Sequence, residues 1–204
     1  MTRIKVCGLR SVHEAVACAE AGADALGVNF VPSSVRRIDV PTAAAIVRAV
    51  GGRALVVGVV AGMTVEAMHA LRDATAVGCL QVHGQPRPED ILALLPHAYA
   101  AVRIGDQPDV AYAEAMPGEY VMVDAKVDGA LGGTGHVFDW SLVVGLAQRR
   151  KMVLAGGLTA DNVANAIRQV RPWCVDVASG VESSPGVKDV VKVRAFVNAV
   201  RQVG

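Results

Sequence analysis

Short β-branched runs alternate with longer alanine-rich amphipathic runs, eight times over in 204 residues, and this alternation constrains the chain more than any other feature. Ile4–Cys7 reads as the first strand, closed by Gly8. Ser11 caps the helix that follows, with Glu14 at capping-box spacing. Gly22 ends that helix, and Ala25–Phe30 is the next strand. The later strands read as Ala54–Val60, Cys79–His83, Ala98–Ile104, Tyr120–Asp124, Met152–Ala155 and Val175–Ala178. The helices between and after them read as Pro41–Val50, Thr64–Ala74, Pro88–Leu95, a weak one near Pro108–Ala115, Asp139–Arg149, Ala160–Val170 and Lys188–Arg201. Strands separated by helical crossovers pair in parallel, and eight such units favour a closed ring over an open sheet. The expected fold is therefore α/β, a single (β/α)8 TIM barrel over residues 1–204, with no linker to divide it. The longest irregular stretch, Lys126–Val137, is glycine-rich and follows the sixth strand, where it could act as a lid.

Charge narrows the partners. Twenty basic and 19 acidic residues leave a net +1, with no basic run to track a phosphate backbone, so no nucleic-acid partner is expected. Every apolar stretch is interrupted, so no membrane span is expected. Cys7, Cys18, Cys79 and Cys174 form no CxxC pair, and MTRIKVCGLR has no apolar h-region before a cleavage site, so no secretory leader is expected. A reduced cytoplasmic protein without a metal site is the expectation.

In such barrels chemistry sits at the C-terminal ends of the strands. The polar residues there are Cys7, Asn29, Gln81, His83, Arg103, Asp124, Asp176 and Ser179. Side chains alternate along a strand, so Lys5 lies one layer below Cys7, and Gln81 shares a face with His83. A strand cysteine often just fills space. Cys7, however, is last in its strand, before a glycine, and the Lys5 charge is expected to favour its thiolate. Asp124 closes an apolar strand, where an aspartate is costly to bury unless it is bonded or used. One base and one acid suit an enzyme that moves protons about a carbon centre. Gly156-Gly157 after the seventh strand and Ser179-Gly180 after the eighth let backbone N–H groups approach an anion, and barrels commonly hold phosphate at these two loops. Arg36 and Arg37 lie on the loop after the second strand, where an arginine can grip a carboxylate with two bonds. His83 is either a satisfied core group or a ligand-orienting one.

The motifs KVCGLR (5–10), GADALGVNF (22–30), LQVHG (80–84), VMVDA (121–125), GGTGHVFDW (132–140), LAGGL (154–158) and VDVASGVESSPGVKD (175–189), in this order, resemble the phosphoribosylanthranilate isomerase family of tryptophan biosynthesis. The spaced Phe30, Pro32, Ser34 and Arg36 belong to the same pattern. The resemblance covers essentially the whole chain. It implies an Amadori rearrangement of a phosphorylated sugar without cofactor or metal, by a monomer or homodimer. It further implies Cys7 as general base, Asp124 as general acid, and Arg36 on the substrate carboxylate. His83 and Asp176 would line the pocket, and Gly156, Gly157, Ser179 and Gly180 would hold the phosphate. Two places depart from the family pattern, Val59–Gly62 and Val31, both expected at the aromatic end of the pocket or its rim.

Rival readings differ at named residues. The histidine-pathway isomerase, which runs the same rearrangement, has an aspartate in place of Cys7 and a twofold repeat absent here. Indole-glycerol-phosphate synthase needs strand-end lysines, and a pentose-phosphate epimerase needs metal-binding histidines and aspartates. A barrel kept only as a scaffold would lose Cys7 or Asp124 while retaining the phosphate turns.

Overall fold

A computed structural model of the chain describes residues 1–125 and 139–203. The expected lid stretch, Lys126–Val137, lies outside the described residues, as does most of the GGTGHVFDW motif. Eight parallel strands close into one barrel in sequence order, with the last pairing the first. They are β1 Arg3–Cys7, β2 Ala25–Asn29, β3 Leu55–Ala61, β4 Cys79–His83, β5 Ala98–Ile104, β6 Tyr120–Ala125, β7 Lys151–Leu154 and β8 Cys174–Val177. Helices α1 Val12–Glu20, α2 Val40–Val50, α3 Val65–Thr75, α4 Pro88–Leu94, α5 Gln107–Ala115, α6 Val144–Arg149, α7 Val163–Val170 and α8 Val190–Arg201 follow them in turn. No helix among the described residues is long and apolar enough to cross a membrane.

Local chemistry explains the element ends. The Ser11 hydroxyl accepts from the Glu14 N–H at 3.2 Å, while the Glu14 carboxylate reaches back to the Arg10 N–H at 3.0 Å. Asp39, Thr64, Asp106 and Asp189 cap α2, α3, α5 and α8 through their side chains. Gly51, at φ 59°, ends α2 in the left-handed conformation that glycine adopts without penalty.

Three expected boundaries shift. Asp139 does cap its segment, but Trp140–Val143 is a 3₁₀ turn and α6 starts only at Val144. The seventh helix begins at Val163, because the Asn162 side chain bridges the preceding turn by accepting from the Thr159 N–H and donating to the Gly157 carbonyl. Lys188 does not open the last helix. It lies in β10 (Val187–Lys188), which pairs antiparallel with β9 (Glu182–Ser184) as a small hairpin over the barrel mouth.

Alternation along the strands sorts the side chains into two cores. Ile4, Val6, Leu26, Val28, Leu80, Val121 and Val175 pack outward with helix residues such as Ile46, Met68 and Phe196. Val57, Tyr99, Ala101, Met122, Val153 and Cys174 pack on one another inside the ring, which is a filled core and not a pore.

Candidate active site

The inward residues above that core open onto a cavity of about 460 Å³, within the range of small-molecule sites. Its lining combines Cys7 from β1, Asn29 from β2, Gln81 and His83 from β4, Asp124 from β6 and Asp176 from β8 with Arg36 and the turns after β7 and β8. Of the candidates named from the sequence, Lys5, Arg37, Arg103 and Gly180 do not line it, and the others do. Gly180 is the next residue after the lining Ser179. Arg103 faces a second cavity, shared with Gln85, Asp109 and Tyr112.

Cys7 is 9 % exposed and sits against Gly27, its register partner on β2. A Cβ at Gly27 would lie 2.6 Å from the Cys7 Sγ, so only glycine leaves the thiol its place. Below it the Lys5 ammonium donates to Asp176 Oδ1 at 3.0 Å, both side chains 5 % exposed or less. These two residues are register partners across the seam between β1 and β8. Burial opposes the Lys5 charge, but Asp176, Cys7 and Tyr99 outweigh it and hold the lysine well above its ordinary pKa.

The thiol feels the lysine as expected, but a second and larger influence opposes it. Lys5 does favour the thiolate, yet burial is the larger influence and pushes Cys7 above its ordinary value. Sequence spacing revealed the lysine but not how completely the site is closed from water.

Asp124 is 5 % exposed, and its Oδ1 accepts from the following backbone N–H at 2.8 Å. Gly156, at φ +92°, lies so close that a Cβ would meet the Ala125 nitrogen at 2.7 Å and Asp124 Oδ1 at 3.0 Å. The loop after β7 thus shapes the environment of Asp124 directly. Gly157 also has positive φ, at 63°. A Cβ at Gly180 would fall 2.0 Å from the Leu158 carbonyl oxygen, so the two glycine turns pack backbone to backbone. Ser179–Val181 is a single 3₁₀ turn, whose first N–H groups have no partner within the turn.

A buried polar chain runs up the wall of the barrel. The Tyr99 hydroxyl donates to Gln81 Oε1 at 2.8 Å, and Gln81 Nε2 lies 2.6 Å from His83 Nε2. Tyr99 drew no notice in the sequence, since a buried strand tyrosine has no local signature.

The rim holds the largest surprise. Arg36 Nε and Nη2 donate to the two oxygens of Glu182 at 2.7 and 2.8 Å. Lys188 Nζ donates to Glu182 Oε1 at 2.7 Å and to the Ala178 carbonyl at 3.0 Å. Burial alone would push the Glu182 carboxyl up, but hydrogen bonds from Arg36 and Lys188, and their charges, hold it down at about 2. Neither Glu182 nor Lys188 was singled out from the sequence. Arg37 is exposed. The departing positions Val31 and Val59 pack with Cys7 into a small apolar wall of the cavity. Among the described residues no three His, Cys, Asp or Glu side chains group as a metal site.

Residues 4–199 match the family described as N-(5'phosphoribosyl)anthranilate (PRA) isomerase. The N-(5'-phosphoribosyl)anthranilate isomerase of Pseudomonas aeruginosa is 44 % identical over 201 residues, 98 % of this chain and 95 % of the relative. The crystal structure of phosphoribosyl anthranilate isomerase from Thermotoga maritima superposes with a TM-score of 0.91 at 32 % identity, covering 99 % of this chain and 100 % of that one. A structure of such an isomerase in complex with reduced 1-(o-carboxyphenylamino)-1-deoxyribulose 5-phosphate matches with a TM-score of 0.88 at 30 % identity, over 99 % of this chain and all of the other.

Proposed function

The chain belongs to the N-(5'-phosphoribosyl)anthranilate isomerase family, and we propose that Cys7 and Asp124 are the general base and general acid of its reaction. That reaction, in tryptophan biosynthesis, is the Amadori rearrangement of N-(5'-phosphoribosyl)anthranilate to 1-(2-carboxyphenylamino)-1-deoxyribulose 5-phosphate. The observation that carries the assignment is placement: one thiol and one carboxyl, from β1 and β6, line a single cavity of about 460 Å³.

Asp124, as the acid, gives its proton to the furanose ring oxygen, and the C1′–O bond breaks. The nitrogen lone pair closes to a Schiff base, which acidifies the C2′ hydrogen. Cys7, as thiolate, removes that hydrogen, leaving an enolamine that tautomerises to the ketone. Only protons pass between enzyme and substrate while electron pairs shift within the substrate, so the chemistry calls for no redox group or metal. Lys5, immobilised by Asp176, supports the thiolate electrostatically from below. The substrate phosphate belongs at Gly156, Gly157, Ser179 and Gly180, its carboxylate at Arg36, and its ring against Val31 and Val59. His83 and Asp176 face the sugar hydroxyls. We assign the protein to the cytoplasm, acting as a monomer or homodimer on this small phosphorylated substrate, with no nucleic-acid or membrane partner. The unpaired state of all four cysteines supports that compartment.

The test is the decay of anthranilate fluorescence as substrate is consumed. Cys7→Ala is expected to lower kcat by about 10²–10⁴ with little change in KM. Cys18→Ala, Cys79→Ala and Cys174→Ala serve as controls with near-normal rates. Asp124→Asn is expected to collapse kcat while still binding product. Near-normal turnover in folded Cys7→Ala removes Cys7 from the mechanism. Weakened binding with normal turnover per complex in Asp124→Asn makes Asp124 a positioning group.

A further inference from the structure

We propose that Glu182 is a positioning residue for substrate recognition: it holds Arg36 by one edge of the guanidinium and presents the other edge to the substrate carboxylate. The inference rests on the isomerase reading above and adds residues of the β9–β10 hairpin to it.

A guanidinium has two edges able to receive a carboxylate side by side. Glu182 occupies the edge formed by Nε and Nη2. The second edge, Nη1 with the remaining Nη2 hydrogen, meets no acceptor among the described residues, and Arg36 lines the cavity. Arg36 is also fixed along its stem. Its Cδ lies 2.3 Å from where a Cβ on Gly8 would be, so the stem runs tightly over the Gly8 backbone. Its own N–H donates to the Ser34 hydroxyl at 3.1 Å.

Glu182 is itself held in place. Its Oε1 accepts from Lys188 Nζ, which is fully buried and anchored on the Ala178 carbonyl. Its backbone carbonyl accepts from Lys192 Nζ at 2.7 Å. The Lys188 N–H donates to Glu14 Oε1 at 2.9 Å, which ties the hairpin to the first helix.

Charge points the same way. One edge of the Arg36 guanidinium is neutralised by Glu182, and Arg36 lines the cavity. A substrate carboxylate on the other edge completes its pairing. The long arginine side chain loses substantial rotamer freedom when ordered, and Glu182 brings about that ordering before substrate arrives. Glu182 thereby contributes to selection of a carboxylated ring over an uncarboxylated one.

Glu182→Gln and Glu182→Asp test this with two substrates, phosphoribosylanthranilate and its aniline counterpart, which lacks the carboxylate. Both variants are expected to raise KM for the carboxylated substrate about tenfold or more, with kcat within about twofold. For the aniline substrate KM should match that of the wild-type chain. In an Arg36→Ala background, Glu182→Gln should add nothing to KM. Equal losses on both substrates would mean that Glu182 only holds the fold together, and would overturn the proposal. So would an unchanged or lowered KM, the latter meaning that Glu182 competes with substrate for Arg36. Should Glu182→Gln not fold, Glu182→Asp keeps the charge and retracts it by one methylene, and the same comparison decides. A wild-type chain that turned over neither substrate would instead overturn the isomerase reading.

Discussion

Adding one methyl group at Gly27 tests whether Cys7 must stand where it does. The new Cβ would lie 2.6 Å from the Cys7 Sγ, 3.1 Å from its Cα and 3.2 Å from its Cβ. Comfortable separations between such atoms begin near ~3.5 Å. Relief therefore demands a shift of about 1 Å, and the thiol is the part best able to swing. A misplacement of about 1 Å in a reacting group costs about 10²-fold in rate. Overpacking of a closed site costs about 1–3 kcal/mol of stability, which for a chain of this length lowers Tm by about 2–12 °C. Gly27→Ala should accordingly lower kcat about a hundredfold while the folded protein still binds product. Fluorescence-monitored turnover and thermal unfolding measure the two effects. Gly145→Ala is the control. Its new methyl meets only the guanidinium of Arg149, at 3.3 Å or more, and alanine suits a helix better than glycine by about 0.5–1 kcal/mol. A Gly27→Ala protein with kcat within threefold of wild type would refute the reasoning, because the base would not then depend on the position of Sγ.

Three further outcomes follow from the site. Because burial pushes the Cys7 thiol above its ordinary 9.0, its alkylation by iodoacetamide should still be accelerating at about pH 9, and a plateau below about pH 8 would contradict that. The Glu182 carboxyl is depressed from 4.5 to about 2, so its stabilising contribution is complete above pH 4.5 and is lost as pH falls through the interval down to about 2; urea midpoints across that interval should fall less steeply in Glu182→Gln than in wild type. Arg36→Ala should raise KM about 10- to 150-fold, as for a lost charge-assisted contact, whereas Arg37→Ala, at an exposed position, should leave it unchanged; sensitivity at Arg37 would place the gripping side chain one residue along.

The barrel itself was legible because its signal is local and repeated. A short β-branched apolar run in β3 or β6 and a capping box at Ser11–Glu14 each announce themselves within a few residues. The strand-end rule then located Cys7, Asp124, Asp176 and the glycine turns without reference to any contact. What escaped depended on distance in sequence or on burial. Arg36 and Glu182 are 146 residues apart, and no local pattern links them. The β9–β10 hairpin is too short to show alternation, although Pro185-Gly186 marks its turn, and so Lys188 was read into the helix beyond it. The net direction of the Cys7 shift was not legible for a related reason: spacing shows that a lysine is near, while desolvation depends on what the other seven strands cover.

The seam between β1 and β8 carries a consequence for how this molecule comes into being. Lys5 meets Asp176 across 171 positions of chain, and the groups that flank Cys7 are contributed by the first and last strands of the ring. On a ribosome the thiol emerges long before its neighbours exist. Until the eighth strand docks, the lysine has no counter-charge and the pocket has no wall on that side. A partly made barrel therefore carries an ordinary, solvated cysteine, and the buried thiol beside the Lys5–Asp176 pair arises only when the ring locks shut. Turnover in this architecture is a signature of circular closure, and its first appearance during synthesis or refolding marks the moment at which head and tail of the sheet find each other.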